Sequence, residues 1–169
     1  MKQKSQNRFL AALLAVAMML QMLPMLAFAE DATGTGKPVA WIGKQGYTSL
    51  EAAVRAARSG ATITLGEGEY DLYKKISENE LAGKELTFVG KGADKTIWNI
   101  GYAIDQPTAE DGDYDLGGAE KVTFENMTLQ CGTGDYHGFV RIHNTVVKDC
   151  VINGKTFYWG YTSAEFINT

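Results

Sequence analysis

The sequence predicts an all-β solenoid that opens with a single α-helix and follows an export signal. Three observations predict it. Short runs rich in Val, Ile, Thr and aromatic residues recur after residue 60, separated by Gly, Asn and Asp. A weak repeat of about 20 residues runs through these strands, which is the signature of stacked repeats. Only one segment, residues 48–59, combines an apolar stripe with helix-capping residues.

Composition excludes several classes of protein. The chain has 169 residues, 20 acidic and 16 basic side chains, 19 glycines and 45% hydrophobic residues. Its length suits one domain, and the absence of a three-residue glycine period excludes collagen. The excess of acidic residues disfavours a nucleic-acid partner, and the apolar content disfavours a disordered chain.

The first 29 residues have the pattern of a secretory signal peptide. Three basic residues lie within the first eight positions, an apolar run covers residues 9–28, and Ala27-Phe28-Ala29 forms a small-x-small cleavage site. The alternative is an uncleaved membrane anchor, because the run is nearly long enough to span a bilayer; Gln21 and Pro24 interrupt it and favour cleavage after Ala29. We therefore expect a secreted or cell-surface protein with no membrane span after cleavage and a net charge of −7 over 140 residues.

The predicted helix follows a linker and a first short strand. Residues 30–38 are small and polar, as in a linker, and residues 39–169 form the predicted β domain. Thr48 is the expected N-cap, and Glu51 completes a capping box three residues later. The apolar stripe consists of Leu50, Ala53, Val54 and Ala57. Gly60 is expected to end the helix.

The repeat is seen in three later segments of the chain. Each segment has an apolar residue and, two positions later, Asn or Asp. Its apolar members are Phe124, Val147 and Phe166, at spacings of 23 and 19 residues. We expect these three residues to occupy equivalent inward positions on successive turns, with Asn or Asp at each corner. Ordinary turn composition is the alternative explanation. Because no second segment has a helical stripe, a layered βαβ fold is disfavoured.

The N-terminal part of the domain resembles a known family. The sequence GYTSLEAAVRAARSGATITLGEGEY at 46–70 resembles the entry of secreted parallel β-helix proteins of the pectate-lyase-like superfamily, which includes adhesin-like bacterial surface proteins. The sequence LTFVGKGADKTIW at 86–98 is similar to their second turn. The resemblance implies a right-handed single-stranded parallel β-helix with a capping α-helix at about 48–59, and it suggests an N-terminal fragment that stops inside a turn.

An aromatic run near the end of the chain is the main candidate binding site. Strand alternation puts Phe157, Trp159 and Tyr161 on one face, where aromatic rings form a platform for sugars. The alternative is that these rings fill the interior. Arg141 and His143 share an outward face by the same alternation and are added as candidate glycan contacts.

Metal and cysteine chemistry is weakly indicated. Asp111, Asp113 and Asp115 are weak candidates for Ca²⁺, but position twelve of the corresponding loop lacks the required Glu, so a solvated loop is favoured and no cofactor is assigned. Cys131 and Cys150 lie at different repeat positions, which favours buried free thiols over a disulfide.

These observations predict a secreted or cell-surface segment with a structural or adhesin-like role and possible contact with a polysaccharide or host glycan. No catalytic constellation is evident in the sequence, so an enzyme is not the favoured interpretation. The alternative is a polysaccharide lyase or glycoside hydrolase whose active turns lie beyond residue 169; this alternative rests on the fold alone. The oligomeric state is left open.

Overall fold

The computed structural model describes residues 36–72, 75–100, 116–131, 138–140, 142–154, 157–159 and 162–169. At residues 100, 138–140 and 157–159 it describes the backbone. The elements in chain order are β1 (Ala40–Ile42), β2 (Gln45–Tyr47), α1 (Leu50–Ala56), β3 (Ala61–Leu65), β4 (Gly68–Tyr70), α2 (Glu78–Leu81), β5 (Glu85–Val89), β6 (Thr96–Ile100), β7 (Lys121–Glu125), β8 (Thr128–Cys131), β9 (Gly138–Val140), β10 (Asn144–Lys148), β11 (Val151–Asn153), β12 (Phe157–Trp159) and β13 (Ser163–Ile167).

The architecture is a mixed α/β arrangement of sheets. A seven-stranded mixed sheet has the order β13-β10-β7-β5-β3-β1-β2, a four-stranded parallel sheet has the order β11-β8-β6-β4, and β12 pairs with β9. Two helices accompany the sheets within the described residues. The prediction of an all-β solenoid, a right-handed single-stranded parallel β-helix, is therefore wrong.

The N-terminal strands are the main physical reason for this correction. β1 pairs antiparallel with both β2 and β3, so the large sheet is mixed. Gly43 has a φ of 59° in the two-residue turn between β1 and β2, where hairpins favour glycine. The sequence interpretation treated this region as one isolated strand and missed the hairpin.

The helices also differ from the prediction. α1 is shorter than residues 48–59, and its N-cap is Ser49, whose hydroxyl accepts a hydrogen bond from Ala52 N at 3.1 Å, rather than Thr48. The expectation of a single helix is wrong, because the Glu80 carboxylate accepts from both the Ser77 amide and hydroxyl and caps the four-residue α2. So short a helix has no periodic stripe for a sequence pattern to detect.

The register predicted by the repeat is confirmed within the parallel part of the large sheet. Val147 pairs with Phe124 on one side and with Phe166 on the other. Phe124 and Val147 are fully buried, whereas Phe166 is 48% exposed on the terminal strand, so the expectation of an equivalent inward position is wrong for Phe166. The corner residues Asn126, Asp149 and Asn168 have φ values of 58°, 53° and 50°, the left-handed conformation that Asn and Asp tolerate better than other non-glycine residues. The short β-rich runs noted after residue 60 form strands β3 and β5 to β12.

An aromatic cluster holds the two large sheets together. Phe88 and Phe124 come from the seven-stranded sheet and Trp98 from the four-stranded sheet, and all three are fully buried. The Trp98 ring stands edge-on to Phe88 at 4.7 Å and to Phe124 at 5.3 Å between centroids. Gly90 is required beside this cluster because a Cβ there would lie 2.5 Å from the Asn126 carbonyl oxygen.

Candidate functional site

The outward face of the four-stranded sheet carries three amide side chains in register. Asn99 on β6 pairs with Gln130 on β8, and Gln130 pairs with Asn153 on β11. We call these three residues the amide column. Because strands in a sheet lie about 4.8 Å apart, the column presents one amide at each such interval.

The core fixes the orientation of the amide column. Trp98 and Leu129 directly precede Asn99 and Gln130 in sequence and are fully buried. Since neighbouring strand residues point to opposite faces, the amides that follow them point outward. Asn99 and Gln130 are half-buried and Asn153 is exposed, so the column is anchored at its base and accessible from solvent.

An aliphatic column runs beside the amides on the same face. It consists of Ile97, Thr128 and Val151, again in register across the three strands. Thr128 is buried and its hydroxyl donates to the Ala93 carbonyl at 2.6 Å, whereas Val151 is 45% exposed. The face therefore combines hydrogen-bonding amides with methyl surface.

The amides keep most of their hydrogen-bonding capacity. Gln130 Nε2 donates to its neighbour's carbonyl, Cys131 O, at 3.2 Å. Within the described residues, the side chains of Asn99 and Asn153 make no hydrogen bond. Each amide has two N–H donors and a carbonyl acceptor, so the column can bind a ligand that offers alternating donors and acceptors.

The predicted aromatic site lies on the small sheet, and its register divides the predicted residues. Phe157 pairs with Gly138 and Trp159 with Val140, whereas Tyr158 pairs with Phe139. Paired residues share a face of a parallel sheet, so positions 157 and 159 lie on one face and positions 139 and 158 on the other.

The remaining predicted contacts are only partly described. Tyr161 and Arg141 lie outside the described residues. His143 is exposed, its amide donates to Ala119 O at 3.0 Å, and the preceding Ile142 is 1% exposed. His143 is therefore exposed as expected, but it lies between β9 and β10 rather than on a strand, and its contact with a glycan stays a prediction.

An acidic cleft of about 260 Å³ lies near the N-terminal strands. Its lining residues are Val39, Ser49, Leu50, Glu67, Gly68, Glu69, Tyr70, Asp71 and Lys75. Asp71 Oδ1 forms an ion pair with Lys75 Nζ at 2.8 Å. Glu67 Oε1 forms another with Lys95 Nζ at 3.2 Å, so lysines neutralise two of the acidic side chains of the cleft. Tyr70 donates its hydroxyl to Val39 O at 2.9 Å, and burial raises its pKa. The ion pairs and the Tyr70 hydrogen bond therefore account for these polar groups of the cleft without a ligand.

Metal binding has no support from the described ranges. They contain no group of three or more His, Cys, Asp or Glu side chains arranged to hold a metal ion. The weak Ca²⁺ candidates Asp111, Asp113 and Asp115 lie outside those ranges.

The two cysteines are buried, as predicted. Cys131 and Cys150 form no disulfide within the described residues. Burial raises the pKa of the Cys150 thiol, and because the thiolate is the nucleophile, this disfavours a reactive cysteine.

The amide column was missed in the sequence, although a signal for it was present. Gln130 and Asn153 are separated by 23 residues, the same spacing that separates Phe124 from Val147. The repeat therefore carried a second, outward member six residues after two of its apolar positions, Phe124 and Val147.

Comparison with known proteins adds no identification. No family model, curated protein or solved structure matches the chain. Membership of the pectate-lyase-like superfamily stays a prediction, although the single-stranded β-helix that it implied is wrong. Among the described residues, no helix is long and apolar enough to cross a membrane.

Proposed function

We propose that this chain is a secreted or cell-surface protein without catalytic activity that contacts a linear polysaccharide. The observation that carries the proposal is the amide column with its neighbouring aliphatic column. A structural or adhesin-like role follows from such contact, because a sheet that binds glycans holds the protein on a cell or matrix surface. The leader sequence supports export, with cleavage after Ala29.

The chemistry of the face suits a sugar chain. Sugars present hydroxyl groups that both donate and accept, and they also present apolar C–H surface. Amides match the hydroxyls with paired donors and acceptors, while Ile97 and Val151 offer methyl groups to the C–H surface. Since the amides repeat from strand to strand, the polysaccharide would run across the strands rather than along them.

The small sheet extends this proposal. Asn153 is separated from Phe157 by only three residues, so the chain brings β12 near the amide column. We infer that the predicted grouping of Phe157, Trp159 and Tyr161 contributes the aromatic platform. Phe139 and Tyr158, which pair with each other on the other face of the small sheet, are the competing assignment.

A glycan array with the mature protein, residues 30–169, tests the proposal. Gln130→Ala should weaken binding to the best array polysaccharide by about two- to twelvefold, the value of one net hydrogen bond. Gln45→Ala is the matched control, because Gln45 is an exposed strand glutamine whose Nε2 donates to its neighbour's carbonyl in the same way. Equal losses in both variants, or no array signal, would contradict the proposal.

A second pair of variants separates the two aromatic assignments. Trp159→Ala should reduce affinity with little change in unfolding temperature, and Tyr158→Ala should leave the affinity unchanged. The opposite pattern would support the face of Phe139 and Tyr158. Release of new reducing or unsaturated sugar ends by the protein would instead support the lyase or hydrolase alternative.

A further inference from the structure

Trp41 lies on the outward face of the seven-stranded sheet. It is the middle residue of β1, between Ala40, which is fully buried, and Ile42, which packs against the core. Because successive strand residues point to opposite faces, Trp41 points away from that core. It pairs in register with Thr64 on β3, which is outward by the same alternation.

Two glycines make room for the indole ring of Trp41 along the sheet. Gly46 on β2 pairs with Trp41, and a Cβ at Gly46 would lie 3.2 Å from Trp41 Nε1. A Cβ at Gly66, directly after β3, would lie 3.4 Å from Trp41 Cζ3. The indole therefore reaches over both glycines, on either side of β1. Trp41 is half-buried, as expected for a ring with one face against backbone and the other open to a ligand.

Hydrogen-bonding groups surround this ring. Within the described residues, no partner bonds to Trp41 Nε1 or to the hydroxyls of Thr62 and Thr64 on β3 and Thr87 on β5. Thr62 pairs with Thr87, and Thr64 pairs with Val89, so these side chains share the outward face. The indole N–H is a donor, and each hydroxyl both donates and accepts. A ligand rich in hydroxyl groups can satisfy all four.

The charges on the same face of β5, β7 and β10 cancel in pairs. Glu85 on β5 lies in register with Lys121 on β7. Glu125 Oε1 on β7 forms an ion pair with Lys148 Nζ on β10 at 2.9 Å. The whole chain has 20 acidic and 16 basic side chains, which disfavours an anionic ligand. A neutral ligand therefore matches the electrostatics of this face.

We propose that Trp41 and Thr64 form a binding site for a neutral sugar unit, whose ring stacks on the indole. The C–H face of the sugar would pack on the indole, and sugar hydroxyls would accept from Trp41 Nε1 and bond to Thr64. Thr62 and Thr87 would contact the next sugar unit, because neighbouring strands lie about 4.8 Å apart. The site rests on glycan contact as the function, but it lies on a different sheet from the amide column.

NMR of the mature protein with 15N-labelled tryptophan tests the site directly. The indole signal that disappears in Trp41→Phe identifies Trp41 Nε1–H. At least one of four neutral disaccharides, cellobiose, maltose, lactose and diacetylchitobiose, should shift this signal saturably. Digalacturonate, which is anionic, should shift it less. The proposal would be overturned if none of the four neutral disaccharides shifted the signal.

Isosteric variants on the same face supply a matched test and control. Thr64→Val removes the hydroxyl beside Trp41 and keeps a β-branched strand residue, so it should weaken binding of the best disaccharide by about two- to twelvefold, the value of one net hydrogen bond. Thr123→Val makes the same change on β7, three strand spacings or about 14 Å from β1, and should leave the affinity unchanged. Equal losses in the two variants would contradict the site.

The glycan array separates this site from the amide column. Trp41→Phe keeps an aromatic ring without the N–H, and circular dichroism checks that its fold is retained. If Gln130→Ala weakens array binding and Trp41→Phe and Thr64→Val do not, this site is wrong while the proposed function stands. If only the variants at 41 and 64 weaken it, this site is supported and the amide column is not. Self-association that Trp41→Ala abolishes would assign the face to a second copy and overturn the proposal.

Discussion

A comparison of two phenylalanines in the same column of the sheet measures how the core stabilises this protein. Phe124 and Phe166 both pair with Val147 in parallel strands. Phe124 is fully buried, and its ring lies 5.3 Å from Trp98 and 5.9 Å from Phe88. Phe166 is 48% exposed. The same substitution at the two positions therefore differs mainly in burial.

The expected cost of each Phe→Ala change follows from that difference. A buried phenylalanine costs about 3–5 kcal/mol when truncated, because its transfer energy is lost and a cavity remains. The two aromatic contacts of Phe124 place it near the upper end, at about 4–5 kcal/mol. For Phe166 only about half of a transfer energy of about 2–3 kcal/mol is lost and no closed cavity forms, so we expect about 1 kcal/mol.

Urea unfolding of the mature protein, followed by tryptophan fluorescence and by circular dichroism, measures both free energies of unfolding. The two probes should give coincident transitions, and the slope of the free energy of unfolding against urea concentration should be the same in both variants. The two free energies can then be compared directly. The packing argument would be refuted if Phe124→Ala lowered the free energy of unfolding by less than about 2 kcal/mol, or if the two substitutions lowered it equally.

Three further changes test local structure. Ser49→Ala should lower the free energy of unfolding by about 1 kcal/mol through loss of the α1 N-cap, whereas Thr48→Ala should leave it nearly unchanged; thermal unfolding of both variants distinguishes the observed cap from the predicted one. Asn126→Ala should cost about 1–2 kcal/mol in urea unfolding because the position has positive φ, and Asn126→Gly should cost less, since glycine adopts that conformation without strain; a greater cost for glycine would contradict this. The Ser77 backbone N–H, together with Arg55, lowers the pKa of the Glu80 carboxyl from 4.5 to about 2, so its stabilising contribution is present above pH 4.5 and is lost as the pH falls toward 2. Glu80→Gln should flatten that part of the dependence of unfolding temperature on pH, and an unchanged acid limb would contradict the assignment.

Several local features were predictable from the sequence because their causes lie within a few residues. The strands after residue 60 follow from short runs of β-branched and aromatic residues. The left-handed corners at Asn126 and Asp149 follow from side chains that tolerate that conformation. The apolar stripe of α1 was also sufficient to predict a helix, although its cap was misplaced by one residue.

The candidate site was predicted less well, since a site depends on which strands become neighbours. His143 is exposed as expected, although it lies outside the strands, and alternation could not show that Phe139 pairs with Tyr158 rather than with Trp159. That pairing depends on strand register, which is set by contacts between residues far apart in the chain. The amide column was missed for the same reason, because its members become a surface only when β6, β8 and β11 align.

By itself, the sequence determined the period of the strands, the corner residues and the shared register of Phe124, Val147 and Phe166, because each depends on local preference or on repetition. The tertiary structure alone decided the direction of β1 and the presence of α2, which together make the fold mixed α/β. It also decided which polar residues align on the outward faces. Strand direction and alignment depend on hydrogen bonds between distant segments, and no local pattern contains that information.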